Sequence, residues 1–109
     1  MKRDERQLIE LLRSFASLKQ SRLDQISRNE ERLRKKLADL DRSARTEPMS
    51  SAALAGADLS YAAWSANVRK EINMELARTL ADKEIARREA ARAIGRQEVA
   101  IKLLGAKKP

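Results

Sequence analysis

Cysteine and histidine are both absent from this 109-residue chain, glycine occurs three times and proline twice. Without cysteine there is no disulfide framework, thiol nucleophile or Cys-type zinc site. Without histidine the commonest metal ligand and the commonest general base are missing. Three glycines cannot build a phosphate-cradling loop. Aromatics are limited to Phe15, Tyr61 and Trp64. No apolar run approaches the ~18 residues of a membrane-spanning helix. The stretch from Met1 to Glu10 is charged, with no apolar region of the kind a secretory signal carries. A cytoplasmic protein is expected, and the lack of cysteine fits that expectation.

What remains is the composition of long helices. Apolar residues make up 42% of the chain, with alanine the most frequent of them, and charged residues 37%. Length allows one domain. The only break in the pattern is Thr46–Gly56, TEPMSSAALAG, where Pro48 disfavours helix at Glu47 and Ser50, Ser51 and Gly56 add punctuation. On either side the sequence runs without an interior proline. Gly95, inside the second run, costs about 1 kcal/mol against alanine, which one helix can absorb. Asp58 is a candidate N-cap. The reading is all-α: a single helical hairpin over 1–109, with a helix over 4–45, a loop over 46–57 and a helix over 58–104. At 1.5 Å per residue the helices would be about 60 and 70 Å long.

Both runs carry apolar residues at 3–4 spacing. In the first they are Leu8, Leu11, Phe15 and Leu18, then Leu23, Ile26, Leu33, Leu37, Leu40 and Ala44, with a frame shift between Phe15 and Ile26 that reads as a stutter. In the second they are Tyr61, Trp64, Val68, Ile72, Leu76 and Leu80, then Ala90, Ile94, Ile101 and Leu104. The simplest arrangement is two long antiparallel helices forming a coiled-coil hairpin. A turn centred near residue 52 puts Leu40 on Trp64, Leu37 on Val68, Leu33 on Ile72, Phe15 near Ala90 and Leu11 near Ile94. Arg22, Glu30, Asn73, Lys83 and Arg87 interrupt the stripe, either as side chains reaching out of a thin seam or as a register lock or third-partner contact. Asp24–Arg28, Glu30–Arg34, Glu31–Lys35, Glu84–Arg88 and Glu98–Lys102 have the spacing of helix-supporting ion pairs. One seam buries little area, so stability alone should be marginal and a partner should add to it.

Catalysis finds no material. Glu30 with Glu31, and Asp39 with Asp41, are neighbours that do not face each other on a helix, and a two-helix seam forms no desolvated pocket. No cofactor, metal or small-molecule substrate is expected. The basic residues say more. The net charge is +8, divided evenly between the halves. Arg88, Arg92 and Arg96 repeat every fourth residue as a ridge, and Arg28, Arg32, Lys35 and Lys36 form a second basic stretch. Sequence-unspecific nucleic-acid binding is one use of such charge, but acids are interspersed and no aromatic stacking platform accompanies the arginines. Peripheral attachment to a membrane would need the apolar face that the hairpin already uses. Docking on an acidic protein surface, or a generic coiled-coil adaptor role, remains. Tyr61 and Trp64 open the second helix at i,i+3. They either close the turn end of the seam against Leu37, Leu40 and Ala44 or offer a ring to a partner.

Taken together, the hairpin, the basic charge and the motif Ser60-Tyr61-Ala62-Ala63-Trp64 followed by Val68, Ile72 and Leu76 resemble the FliJ/YscO-type stalk proteins of flagellar and virulence type III secretion. The basic-then-leucine ending from Arg92 to Leu104 is also similar to that family, although this chain is shorter, richer in alanine and lacks a charged tail. The resemblance implies a non-enzymatic rod, like the coiled-coil part of a rotary ATPase gamma subunit, at the centre of a hexameric export ATPase. It would link that ring to the membrane export gate, at the cytoplasmic face of the inner membrane, and escort export chaperones. Tyr61, Trp64 and Val68 would serve the gate contact. The end carrying Leu8, Leu11, Ile94, Ile101 and Leu104 would lie in the ring, with Arg88, Arg92 and Arg96 available to acidic ring loops.

Overall fold

The computed structural model describes residues 2–46 and 52–105. It contains α1, Arg3–Thr46, and α2, Ala52–Gly105. The fold is the all-α helical hairpin read from the sequence. Asp4 and Glu5 in the first turn of α1 complement the helix dipole. The backbone N–H of Lys2 donates to Glu5 Oε2 at 3.4 Å, and that of Arg6 to the Lys2 carbonyl at 3.1 Å, so the first turn is held from both directions. α2 starts six residues earlier than expected. Ala52, Ala53 and Ala55 are strong helix formers and carry the helix through Gly56. Asp58 therefore lies inside α2 and is not its cap, while Pro48, Ser50 and Ser51 lie outside the described residues. Further on, α2 also runs unbroken through Gly95, where an added Cβ would meet no atom within 4 Å.

The chain divides into two compact units, Arg28–Leu80 and the pair of segments Met1–Ser27 and Ala81–Pro109. Each pairs a stretch of α1 with a stretch of α2. In the first, Leu33 is fully buried and packs in a cluster with Ile72 and Leu76, flanked by Leu37, Leu40 and Val68. Asn29 Nδ2 donates to Thr79 Oγ1 at 3.2 Å, and Arg69 pairs with Asp41 across the helices. In the second, the buried residues are Ile9, Ala16, Ala86, Ala90 and Ala93, and Lys19 Nζ reaches Glu89 Oε2 at 2.9 Å.

The expected neighbours Leu33 and Ile72 share one cluster, flanked by Leu37 and Val68, but the polar cross-helix pairs are shifted from the expected register. A turn centred near residue 52 would place Lys19 opposite Ile85 and Asn29 opposite Glu75. Lys19 meets Glu89 and Asn29 meets Thr79, one helical turn further along α2. The frame is corrected as well. The seam positions of α1, each buried or half-buried, are Ile9, Leu12, Ala16, Lys19, Leu23, Ile26, Glu30, Leu33, Leu37 and Leu40. That is an unbroken alternation of steps of three and four, with no stutter. Leu8, Leu11, Phe15 and Leu18 lie one residue off it and are 43–68% exposed. On α2 the same alternation runs through Ser65, Val68, Ile72, Leu76, Thr79, Lys83, Ala86, Ala90, Ala93, Gln97, Ala100 and Leu104. Trp64, Leu80, Ile94 and Ile101, expected in the seam, are exposed. The physical reason is period and closeness together. A continuous 3.5-residue repeat keeps one line of each helix facing the other. Alanine, serine and threonine on that line let the axes approach, whereas a large residue there would hold them apart.

Polar seam positions are satisfied rather than stranded. Glu30 is bonded to Arg34 at 2.8 Å, and among the described residues no buried side-chain polar atom lacks a partner. Of the ion pairs expected along one helix, Glu30–Arg34 and Glu84–Arg88 form, while Asp24, Glu31 and Glu98 make none among the described residues. The Asn29–Thr79 bond favours one registration of the two helices, at positions other than the Arg22, Glu30, Asn73, Lys83 and Arg87 considered from the sequence.

Leu33→Ala removes the one fully buried large side chain among the described residues. It is expected to cost about 2–5 kcal/mol, read as a lower urea midpoint in the helical circular dichroism signal. Leu18→Ala, made at an exposed position, should leave that midpoint nearly unchanged.

Candidate functional site

Because the seam uses Ile9, Leu12 and Ala16, the larger residues beside them are left over. Leu8, Leu11, Phe15 and Leu18 repeat at steps of three, four and three, the spacing of the seam itself, displaced by one residue or about 100° around α1. They form a second apolar line on the same helix, 43–68% exposed. α2 has a matching second line. Ile85, Glu89, Arg92, Arg96, Val99 and Leu103 again follow the three–four alternation, with Ile85, Val99 and Leu103 more than half exposed.

Leu8 and Phe15 of the first line and Ile85 to Leu103 of the second border one groove within the unit that joins the beginning of α1 to the end of α2, while Leu11 lines a separate hollow with Gln7, Glu10 and Ser14. At its outer end a hollow of about 580 Å³ lies between Leu8 on one side and Arg92, Arg96, Val99 and Leu103 on the other, with Gly95 in its wall. Arg92 and Arg96 also line the next hollow, with Phe15, Lys19 and Glu89. Glu89 in turn continues into a third, between Arg22 and Ile26 on α1 and Asp82, Ile85 and Ala86 on α2. The Lys19 ammonium bridges the middle of this groove, 2.9 Å from Glu89 and 5.3 Å above the Phe15 ring, so it is held by an ion pair and a cation–π contact at once.

The arginine ridge divides. Successive steps of four residues advance about 40° around a helix, so a ridge at that spacing drifts. Arg88 stays outside the groove, its Nε 3.1 Å from Glu84 Oε1. Arg87 grips the same carboxylate through both oxygens, at 3.0 and 2.7 Å. The hydrogen bond from Arg87, aided by its charge and by Arg88, holds Glu84 well below its ordinary 4.5, at about 2. The same pairing raises the pKa of Arg87. Arg92 and Arg96 face the groove, and neither has an acidic partner among the described residues.

Tyr61, Trp64 and Val68 belong to the other unit and line none of these hollows. Val68 packs on the Leu33 cluster. Tyr61 is half-buried, and Trp64 is 54% exposed with its ring centroid 5.6 Å from that of Tyr61. Ser65, not Trp64, enters the seam. The reading of Trp64 as closure of the seam is corrected, since its ring is exposed. Sequence reasoning missed Ile85, Val99 and Leu103 as surface residues. Their signal was the repeat at 85, 89, 92, 96, 99 and 103, hidden because charged side chains fill its middle.

Among the described residues no helix is long and apolar enough to cross a membrane, and no group of three or more acidic side chains is placed to hold a metal ion. No protein-family model matches the chain, nor does any curated protein or solved structure.

Two outcomes are expected from these arrangements. The side-chain carboxyl of Glu84, followed by carbon-13 NMR, should titrate near 2 and return toward 4.5 in Arg87→Ala. Because the folded-state value is the depressed one, the pairing supports the helix fully above the ordinary carboxylate range and is lost as pH falls toward 2. The second outcome concerns Trp64→Ala, which truncates a half-exposed ring. It should cost well under the ~3–5 kcal/mol of a buried aromatic, with helicity by circular dichroism retained.

Proposed function

We propose that this protein is a non-enzymatic interaction rod, and specifically a central-stalk and general chaperone component of a flagellar-type protein export apparatus. The observation that carries the reading is the second apolar line. After the two helices have satisfied each other, Leu8, Leu11, Phe15, Leu18, Val99 and Leu103 remain in water. Solvent-exposed aliphatic residues in a contiguous line are characteristic of surfaces that meet another protein. The groove that Leu8, Phe15, Val99 and Leu103 border is open along one side and lined mostly by apolar and basic side chains, with Glu89 and Asp82 among them. That lining suits recognition and leaves a bound molecule too exposed for acid–base chemistry.

The stalk assignment rests on the resemblance to FliJ/YscO-type proteins. In that assignment the unit bearing Leu8, Arg92, Arg96 and Leu103 engages the export ATPase ring, with Arg92 and Arg96 toward acidic ring loops. The Tyr61–Trp64 pair is offered to the export gate at the membrane, and export chaperones are further partners. A seam with Lys19, Glu30 and Lys83 on its line is only modestly stable by itself, and a surrounding ring would add stability by mass action.

The test is direct. Adding the purified chain to a hexameric export ATPase should raise both its hexamer fraction, measured by sedimentation, and its ATP turnover. Unchanged assembly and turnover at saturating chain would overturn the stalk assignment.

A further inference from the structure

We infer that the groove between the two second lines is the seat of a third helix, an acidic amphipathic helix supplied by a partner protein. The inference deepens the interaction-rod reading by naming the partner's chemistry, and it does not depend on which machine the rod serves.

Spacing is the first ground. A helix that meets one neighbour needs one line at steps of three and four. α1 has two such lines side by side, Ile9–Leu12–Ala16 and Leu8–Leu11–Phe15–Leu18. α2 likewise adds Ile85–Glu89–Arg92–Arg96–Val99–Leu103 to its seam. Two helices whose second lines give Leu8 and Phe15 on one side and Ile85 to Leu103 on the other to a common groove have the surface of a three-helix bundle with one helix missing. From Ile85 to Leu103 the groove runs along about 27 Å of α2, which five turns of helix would cover.

Charge selects the occupant. Of the groove's two acids, Glu89 is held by Lys19 at 2.9 Å, and Asp82 lies at the Ile85 end in the hollow that Arg22 also lines. Arg92 and Arg96 line two of its hollows and have no acidic partner among the described residues. A helix seated here therefore meets apolar side chains at both ends, from Leu8, Val99 and Leu103 at one and Ile85 at the other. In the middle it meets two free guanidiniums, where carboxylates would be desolvated against a bidentate donor. A second copy of this chain brings a net charge of +8 and its own arginines to that place, so self-association is disfavoured. A membrane surface needs a convex apolar face, whereas these side chains border a concavity between two helices.

The experiment uses the full chain and two fluorescent synthetic helices of about 18 residues, long enough to span the groove. Both carry leucine at alternating three–four spacing; one is flanked by glutamate, its twin by lysine. The acidic helix should bind, weaken with salt, and lose roughly tenfold or more in affinity for the Arg92→Glu/Arg96→Glu variant, which should instead take the basic twin. Leu8→Lys/Leu103→Lys should abolish binding with helicity by circular dichroism unchanged, since both leucines line the groove and lie in water. The inference falls if the acidic helix binds no better than the basic one, or if the arginine variant fails to exchange preference. It falls equally if the leucine variant loses helicity, which would return those residues to the hairpin's own packing. Concentration-dependent dimers abolished by the leucine variant would assign the groove to a second copy. Binding of anionic phospholipid vesicles with no binding of the acidic helix would assign it to a membrane. Because the readout is peptide affinity and not ATP turnover, this inference and the stalk assignment can fail separately.

Discussion

Two helices touch along a line, and a line has room for two side chains in every seven on each helix. That geometric limit governs this protein. A chain with 42% apolar residues has more hydrophobic side chains than one seam can accept, so the seam must choose. It takes the positions whose repeat never slips, from Ile9 to Leu40 on α1 and from Ser65 to Leu104 on α2. Size is secondary. Ala16, Ala86, Ala90 and Ala93 are buried while Phe15, Ile85 and Leu103 are not. Small residues on the line bring the backbones close. The dispersion attraction summed over such a close approach outweighs the burial of a few larger groups out of step.

The same competition explains what the sequence made legible. Two long helices with a break near Pro48 follow from composition and period, because nothing else can be made from so few glycines, prolines and aromatics. The aliphatic half of the seam, Leu23, Ile26, Leu33, Leu37 and Leu40 with Ile72 and Leu76, was readable because the largest residues there are also the ones in step. At the beginning of α1 they are not. LIELLRSFASL offers two lines of equal spacing, and reading the bulkier one creates a stutter that the structure does not have. A turn centre near residue 52 places Leu33 with Ile72, as found, but not the polar pairs, since Asn29 with Thr79 and Lys19 with Glu89 lie one turn further along α2. Arg92 and Arg96 were visible as a repeat, but their separation from Arg88 depends on angular drift along α2 and on Glu84, which takes Arg87 and Arg88 together.

Electrostatics here sorts residues more than it stabilises them. Most ion pairs lie in water, where each contributes little. Glu84 illustrates the point. Its carboxyl is strongly depressed by two guanidiniums, yet the group sits at the surface and the gain is screened. What such pairs accomplish is to remove cations from availability. Arg34, Arg69, Arg87 and Arg88 are engaged by acids of the chain itself. Arg92 and Arg96 are left without an acid in the groove, beside the exposed apolar residues.

The seam also holds charged or polar residues at Lys19, Glu30, Lys83 and Gln97, where a self-sufficient pair of helices would place leucine. Exchanging those four for aliphatic side chains would strengthen the hairpin but would also enlarge the apolar surface competing for a neighbour, and alternative registers would follow. Keeping the seam modest and the second line apolar divides the labour between them. The first fixes how α1 and α2 meet, and the second stays available with its own spacing and its own charge. A helix added along the groove would bury Leu8, Phe15, Val99 and Leu103 on one side of the unit without disturbing Ile9, Ala16 or Ala93 on its seam. Binding would then tighten an arrangement already in place, and little of the binding free energy would be spent on reordering it.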